Sequence, residues 1–219
     1  MTARICAAPH CQSPTSSKFS PHCRRHKSML RRHGAVNQTG IGKGELNPYL
    51  ARVRARIDKN PTSPLWPALE NAWATIVSDA NVVAEKRVGN RYERSAACEI
   101  LDINADAPAR EIVVTALAMF VMWRERPGRF ADDRAFRMQL ARRVRALSTR
   151  HRGSRYVHTT GQQQAVYREM TPKAGVILGH KLALAFGAAG IQLAELEERE
   201  RRAAEETNQT IINAIKELK

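Results

Sequence analysis

Three cysteines and a histidine fall within the first 26 residues as Cys6-x4-Cys11-x11-Cys23-x2-His26, and this spacing restricts the N-terminal segment more than anything else in the chain. Residues 1–34 also hold Pro9, Pro14 and Pro21 and the polar run 13–17, with too few apolar side chains for a core of their own. Three thiolates and an imidazole are the donors of a closed tetrahedral site, which leaves no coordination position for a substrate. A bound metal would then contribute much of the folding free energy of this segment, roughly 10 kcal/mol or more for a good site. Zinc is the expected ion, with Cys6, Cys11, Cys23 and His26 as its ligands. His10 and His22 each adjoin a cysteine and read as flanking residues.

The text runs on from the third cysteine as Cys23-Arg24-Arg25-His26-Lys27-Ser28-Met29-Leu30-Arg31-Arg32-His33-Gly34. This element resembles the small Cys3His zinc-binding elements at the start of many bacteriophage and mobile-element proteins, some HNH-type homing endonucleases among them. The resemblance covers the first 34 of 219 residues. It implies the same four ligands, and it implies that Arg24, Arg25, Lys27, Arg31 and Arg32 approach phosphates. Lys27 stands where such elements commonly carry an aromatic residue.

Charge points the same way. Lys and Arg total 36 against 21 Asp and Glu, a net charge of +15. Such an excess suits a polyanionic partner, most often nucleic acid. It is concentrated between Arg124 and Arg155, where eleven arginines face three acids. Arg137, Arg142, Arg143 and Arg145 belong to an expected helix over 132–149. Arg150 precedes, and Arg152, Arg155 and Tyr156 lie in, the unpatterned stretch 151–161, which reads as an exposed loop. Guanidinium groups favour bidentate contacts to phosphates and guanine edges, and Tyr156 offers a face for an unstacked base. With aromatics at 5% and no RNA module visible, DNA is favoured over RNA.

Apolar periodicity predicts a mainly α-helical chain. Leu46, Leu50, Val53 and Ile57 form one stripe; Leu69, Trp73, Ile76, Val77 and Val83 form a second. Tyr92–Ile103 reads as a helix, with Asp106-Ala107-Pro108 opening the next. Ile112 to Trp123, the longest uncharged apolar run, is too short to span a bilayer and reads as the central helix. Phe136, Leu140, Val144 and Leu147 are the buried stripe of 132–149. Thr171-Pro172 starts a helix with Gly175, Gly179, Ala183 and Gly187 spaced by four, a pattern that expects another backbone packed close. Residues 35–45 read as a glycine-rich linker, 46–190 as a helical domain and 191–219 as a C-terminal amphipathic helix. That last segment approximates a 3–4 repeat at Leu193, Leu196, Glu200, Ala204, Asn208, Ile211, Ile215 and Leu218, suited to docking on its own domain, to self-association or to a protein partner. Cys98, far from the other thiols, reads as a small core residue.

No apolar secretion segment precedes Cys6, so a reducing cytoplasmic setting is expected, with no membrane. Catalytic patterns are lacking: His151 and His158 have no HNH context, and the pairs Asp132-Asp133 and Asp102/Asp106 read as helix starts. The expected function is a zinc-stabilised nucleic-acid-binding protein, a regulator or accessory subunit of a nucleoprotein complex. An adaptor or inhibitor that docks on an acidic protein face is the alternative, and a nuclease the weaker one.

Overall fold

The computed structural model describes residues 4–217. They form α1 (Arg24–His33), α2 (Lys43–Lys59), α3 (Leu65–Glu85), α4 (Arg91–Asp106), α5 (Ala109–Glu125), α6 (Asp133–Arg145), an antiparallel hairpin of β1 (Arg152–Val157) and β2 (Gln162–Tyr167), and α7 (Pro172–Glu217). The chain is mainly α-helical, as its periodicity predicts.

Helix α5 is the axis of the fold. Every residue from Ile112 to Met122 is buried, because α2, α3, α6 and α7 pack around it. A helix apolar on all sides can be stable in water only when enclosed in this way. The expected stripes face it: Leu46, Val53, Ile57, Leu69, Trp73 and Ile76 are buried, and Leu50, Val77 and Val83 half-buried beside them. Trp66 is buried as well, and its indole N–H donates to the Asn60 carbonyl at 2.7 Å, so the ring enters the core without an unpaired donor. Cys98 does not join the core. Ala97, Glu99 and Ile100 take the inward positions of α4, and Cys98 faces solvent.

Helix ends follow local chemistry. Asn90 and Glu93 close a capping box on α4, and the Asp132 carboxylate accepts from the Ala135 amide at 2.6 Å to start α6. Asp106 departs from its expected role. It is the last residue of α4 and accepts from the Thr149 amide at 3.0 Å, the Ser148 hydroxyl at 2.9 Å and Arg150 Nε at 2.8 Å. It therefore fixes the turn after α6, which ends at Arg145 rather than 149.

No break separates residue 190 from 191, since α7 runs unbroken for 46 residues. Leu178, Leu182, Phe186 and Leu193 are buried, and Gly179 lies against the Arg137 backbone carbonyl, the close approach its glycine pattern predicts. Glu197 and Glu200 then clamp Arg56 of α2, each with an oxygen at 2.6 Å. Beyond Glu198 every described side chain of α7 is exposed, Ile211, Ile212 and Ile215 included; Leu218 and Lys219 lie outside the described residues. By length and composition α7 is apolar enough to cross a membrane, although 44% of its most apolar stretch is buried within this fold.

The expected loop at 151–161 is instead half of a hairpin, with Arg152 opposite Tyr167 and Val157 opposite Gln162. Thr160 and Gly161 donate back to the Val157 carbonyl, and Gly161 takes a φ of 65° that a tight turn needs. Both faces of this ribbon meet solvent. Alternation of apolar and polar residues marks a strand only when one face is buried, and here neither is.

Candidate metal centre and basic surface

Two backbone turns bring the four N-terminal donors together. Ala8 accepts from the Cys11 amide at 3.1 Å to form the first, with His10 in the left-handed region at φ 58°. The second is the start of α1, with Cys23 at its N-cap and His26 one turn along. Cross-links from Cys6 N to Ser13 O, Ala7 N to Pro21 O and Ser16 N to His22 O fold one turn onto the other. The donor atoms of Cys6, Cys11, Cys23 and His26 all lie within 4.8 Å of one another.

Their spacing suits a tetrahedral metal ion. With metal–sulfur bonds of about 2.3 Å and metal–nitrogen bonds of about 2.0–2.1 Å, tetrahedral donors stand about 3.8 Å apart between sulfurs and about 3.5 Å between sulfur and nitrogen. His26 Nδ1 is 3.4 Å from both Cys6 Sγ and Cys23 Sγ, and Cys11 Sγ is 4.0 Å from Cys23 Sγ. Burial works against the Cys6 thiolate, but backbone hydrogen bonds from Cys23 and Ala8, with His26 and His22, outweigh it and bring this thiol to about 5. Cys23 goes the other way: the His26 backbone favours its thiolate, yet burial and the adjoining Cys6 and Cys11 sulfurs raise it. Sulfurs this crowded disfavour each other's charge until a cation sits among them. His22 Nδ1 lies 4.0 Å from Cys6 Sγ, beside the quartet, and His10 is exposed away from it.

The element is fastened to the helical domain through its own helix. Gly34 ends α1 at φ 97°, and a Cβ there would stand 2.9 Å from Ala135 Cα, so the end of α1 lies directly on the first turn of α6. Two buried glutamines secure the segment between α1 and α2. Gln139 of α6 accepts from the Ile41 amide at 3.0 Å and donates to the His33 carbonyl at 3.3 Å. Gln38 donates to the Thr39 carbonyl at 2.7 Å and accepts from the Ala131 amide at 3.0 Å. The glycine-rich stretch 35–45 is thus held along α6. Lone glutamines within a polar sequence carry no pattern that would reveal this.

The arginines expected at a nucleic-acid surface fall into three groups. Arg24, Arg25, Lys27 and Arg31 are exposed on α1, and Arg152, Arg155 and Tyr156 on β1; none of these cations makes an ion pair among the described residues. Others are paired: Arg32 to Glu169 at 2.7 Å and Arg150 to Asp106 at 2.8 Å, both exposed, and the half-buried Arg137 to Asp133 at 3.6 Å. Arg145 is not at the surface. It is buried with Glu99, which takes Nε at 2.5 Å and Nη2 at 3.0 Å, and it donates further to the Arg168 carbonyl at 2.7 Å. Helical phase explains this, since Arg145 lies next to the buried Val144 and one turn beyond Ala141. Arg142 is exposed and Arg143 half-buried at the rim of a cavity that Tyr167 and Arg168 also line. These last two residues lie just past the expected basic run. A wider count would have included them, because no acidic residue occurs between Asp133 and Glu169.

The acid pairs weighed for catalysis have structural partners: Asp132 caps α6, Asp102 pairs with Arg168 at 3.2 Å, and Asp106 holds Arg150. His158 stacks edge-on to Tyr156 at 5.0 Å on the hairpin. The chain matches no family model, and no curated protein or solved structure is significantly similar to it.

Proposed function

We propose that this protein binds nucleic acid, DNA in preference to RNA, through a basic surface that a zinc ion in the Cys3His quartet helps to hold. One observation carries the reading. The acid-free stretch between Asp133 and Glu169 folds into α6 beyond its first residue and a hairpin open to solvent on both faces, and the Arg32–Glu169 ion pair sets the arginines of α1 beside it. A two-stranded ribbon fits the major groove, which is about 12 Å wide. Arg152 and Tyr156 share one face of the ribbon with Gln163 and Tyr167, while Arg155 occupies the other with Gln162 and Gln164. Phosphate contacts from α1 would set the register, and the hairpin would meet base edges. The quartet, with all four positions taken by protein, acts as a staple and not as a hydrolytic centre. A regulator or accessory subunit of a nucleoprotein complex, of the kind met in phages and mobile elements, fits these parts.

The protein-adaptor reading has one observation in its favour: the projecting end of α7 exposes Ile211, Ile212 and Ile215 at about half of their surface. An arm of this kind suits a partner or a second copy, and it is compatible with nucleic-acid binding elsewhere on the chain.

Titration of labelled duplex DNA, single-stranded DNA and RNA by fluorescence anisotropy over a salt series tests the proposal. Binding should weaken linearly in log–log form, with a slope of about −0.9 per neutralised phosphate on duplex DNA. Failure to bind any of the three at low salt, together with tight capture of a protein, would replace it by the adaptor reading.

A further inference from the structure

A cavity of about 630 Å³ opens between the last turn of α1, the Gly40–Ile41 segment, the end of α6 and the foot of the hairpin. Its volume falls within the range of small-molecule sites, roughly 300–1,000 Å³. Five arginines line it: Arg32, Arg142, Arg143, Arg145 and Arg168. The only carboxylate on its wall is Glu169.

Most of this charge is already answered. Glu169 takes Arg32 at 2.7 Å, Glu99 takes Arg145 at 2.5 Å, and Asp102 takes Arg168 at 3.2 Å. Arg142 and Arg143 have no ion pair among the described residues, which leaves two positive charges uncompensated on one wall. Arg143 reaches the Ile41 carbonyl at 3.3 Å through Nη1, while its Nε is buried without a partner. His151 Nδ1, across the same cavity, is likewise buried and unpartnered. Buried polar atoms without partners are rare; Arg143 Nε is a donor that calls for an acceptor, and His151 Nδ1 adds a second open hydrogen-bonding position to the same arginine-lined cavity. Burial, and after it the neighbouring Arg142, lower the Arg143 guanidinium from its ordinary value, as expected of a cation that lacks its counter-ion.

We infer that this cavity seats a phosphate monoester, the dianionic group carried by a mononucleotide or by the 5′ end of a strand, with Arg142 and Arg143 as its counter-charges. Two free guanidinium groups match two negative charges, and arginine's fork suits phosphate oxygens. A walled cavity admits a chain end more readily than a continuous backbone, which needs an open groove on both sides. Tyr167, 64% exposed at the rim, offers a ring on which the attached base can stack. Glu169 is the competitor, because an incoming phosphate must share Arg32 with it. For the strand end this inference rests on the nucleic-acid reading; for the mononucleotide it stands without it.

Three probes test it: adenosine monophosphate, a short single strand carrying a 5′ phosphate, and the same strand ending in a 5′ hydroxyl. The phosphorylated strand should bind on the order of tenfold more tightly than its hydroxyl twin. Arg143→Gln should abolish that difference, and Glu169→Gln should widen it. Arg143→Lys, which keeps the charge but loses the fork, serves if Arg143→Gln fails to fold, and should retain part of the preference. Binding of adenosine monophosphate that depends on Arg143, with no preference between the strands, supports the cavity and assigns it to free nucleotides. If the monophosphate alone binds and neither strand does, the cavity stands and the nucleic-acid reading falls. Equal affinity for both strands with no monophosphate binding overturns the cavity and leaves nucleic-acid binding intact.

Discussion

Arg145 of α6 and Glu99 of α4 form a two-pronged ion pair in the interior, their side chains only 10% and 6% exposed. An arginine that composition assigns to the outer surface thus joins two helices across the core. Removing one partner of such a pair strands the other charge, at a cost of about 3–5 kcal/mol. Arg145→Ala should therefore lower the melting temperature by on the order of 10 °C. A charge swap meant to test nucleic-acid contact must leave this residue alone. A thermal melt of Arg145→Ala within a degree of the parent would contradict the assignment.

Gly179 faces the Arg137 backbone carbonyl closely enough that any side chain would collide with it. Backbone cannot yield as a side-chain tip does, so Gly179→Ala should push α7 away from α6 and destabilise the fold by about 1–3 kcal/mol. Ala188 lies exposed on the same helix and provides the contrast, since Ala188→Ser should change little. Chemical denaturation of both variants checks the difference.

Removing one thiolate opens the quartet. Cys23→Ser should release about one equivalent of metal and unfold the turns before α1, while α2 to α7 keep their helical signal. Metal content and circular dichroism measured on the same sample decide it. Full retention of metal by the variant would show that these four residues are not the ligands.

Arg150 first, then the Thr149 amide and the Ser148 hydroxyl, hold the Asp106 carboxyl well below the ordinary aspartate range. A carboxyl depressed in the folded state stabilises it at pH values above the unfolded value of about 3.9, and this stabilisation fades as the pH falls through the folded value. Asp106→Asn should therefore melt below the parent near neutrality, with the gap narrowing in acid. Melting curves between about pH 6 and about pH 3 measure the gap, and metal release in acid is common to both proteins. A gap that stays constant with pH would mean that the side chain acts through shape alone.

Exposed and without an ion pair among the described residues, Arg152 and Arg155 can be reversed without disturbing the core. Arg152→Glu with Arg155→Glu should leave the melting temperature within a few degrees of the parent and weaken DNA binding at least tenfold. The salt slope should fall by about 1 for each phosphate that is no longer neutralised. Unchanged affinity and slope would remove the hairpin from the interface.

The metal quartet was legible because ligation demands particular atoms at short spacings, and Cys6, Cys11, Cys23 and His26 announce both. Helix stripes were legible because one-sided burial writes a period into the sequence, as Leu46, Val53 and Ile57 illustrate. The hairpin was hidden for the converse reason: with both faces in water, Arg152–Tyr167 carries no apolar alternation. Cys98 and Arg145 were misplaced because residue type was a poorer guide than helical phase to which side of α4 or α6 each would occupy.

The sequence by itself determined the helical class, the central place of Ile112–Met122, the closed donor set and the excess of positive charge, since each follows from local composition and period. Which arginines remain free was decided only by the tertiary structure. Carboxylates distant in sequence, Glu99, Asp102, Asp106 and Glu169, reach particular guanidinium groups only after the helices have packed. Ion pairing depends on separation in space, and no spacing along the chain encodes it.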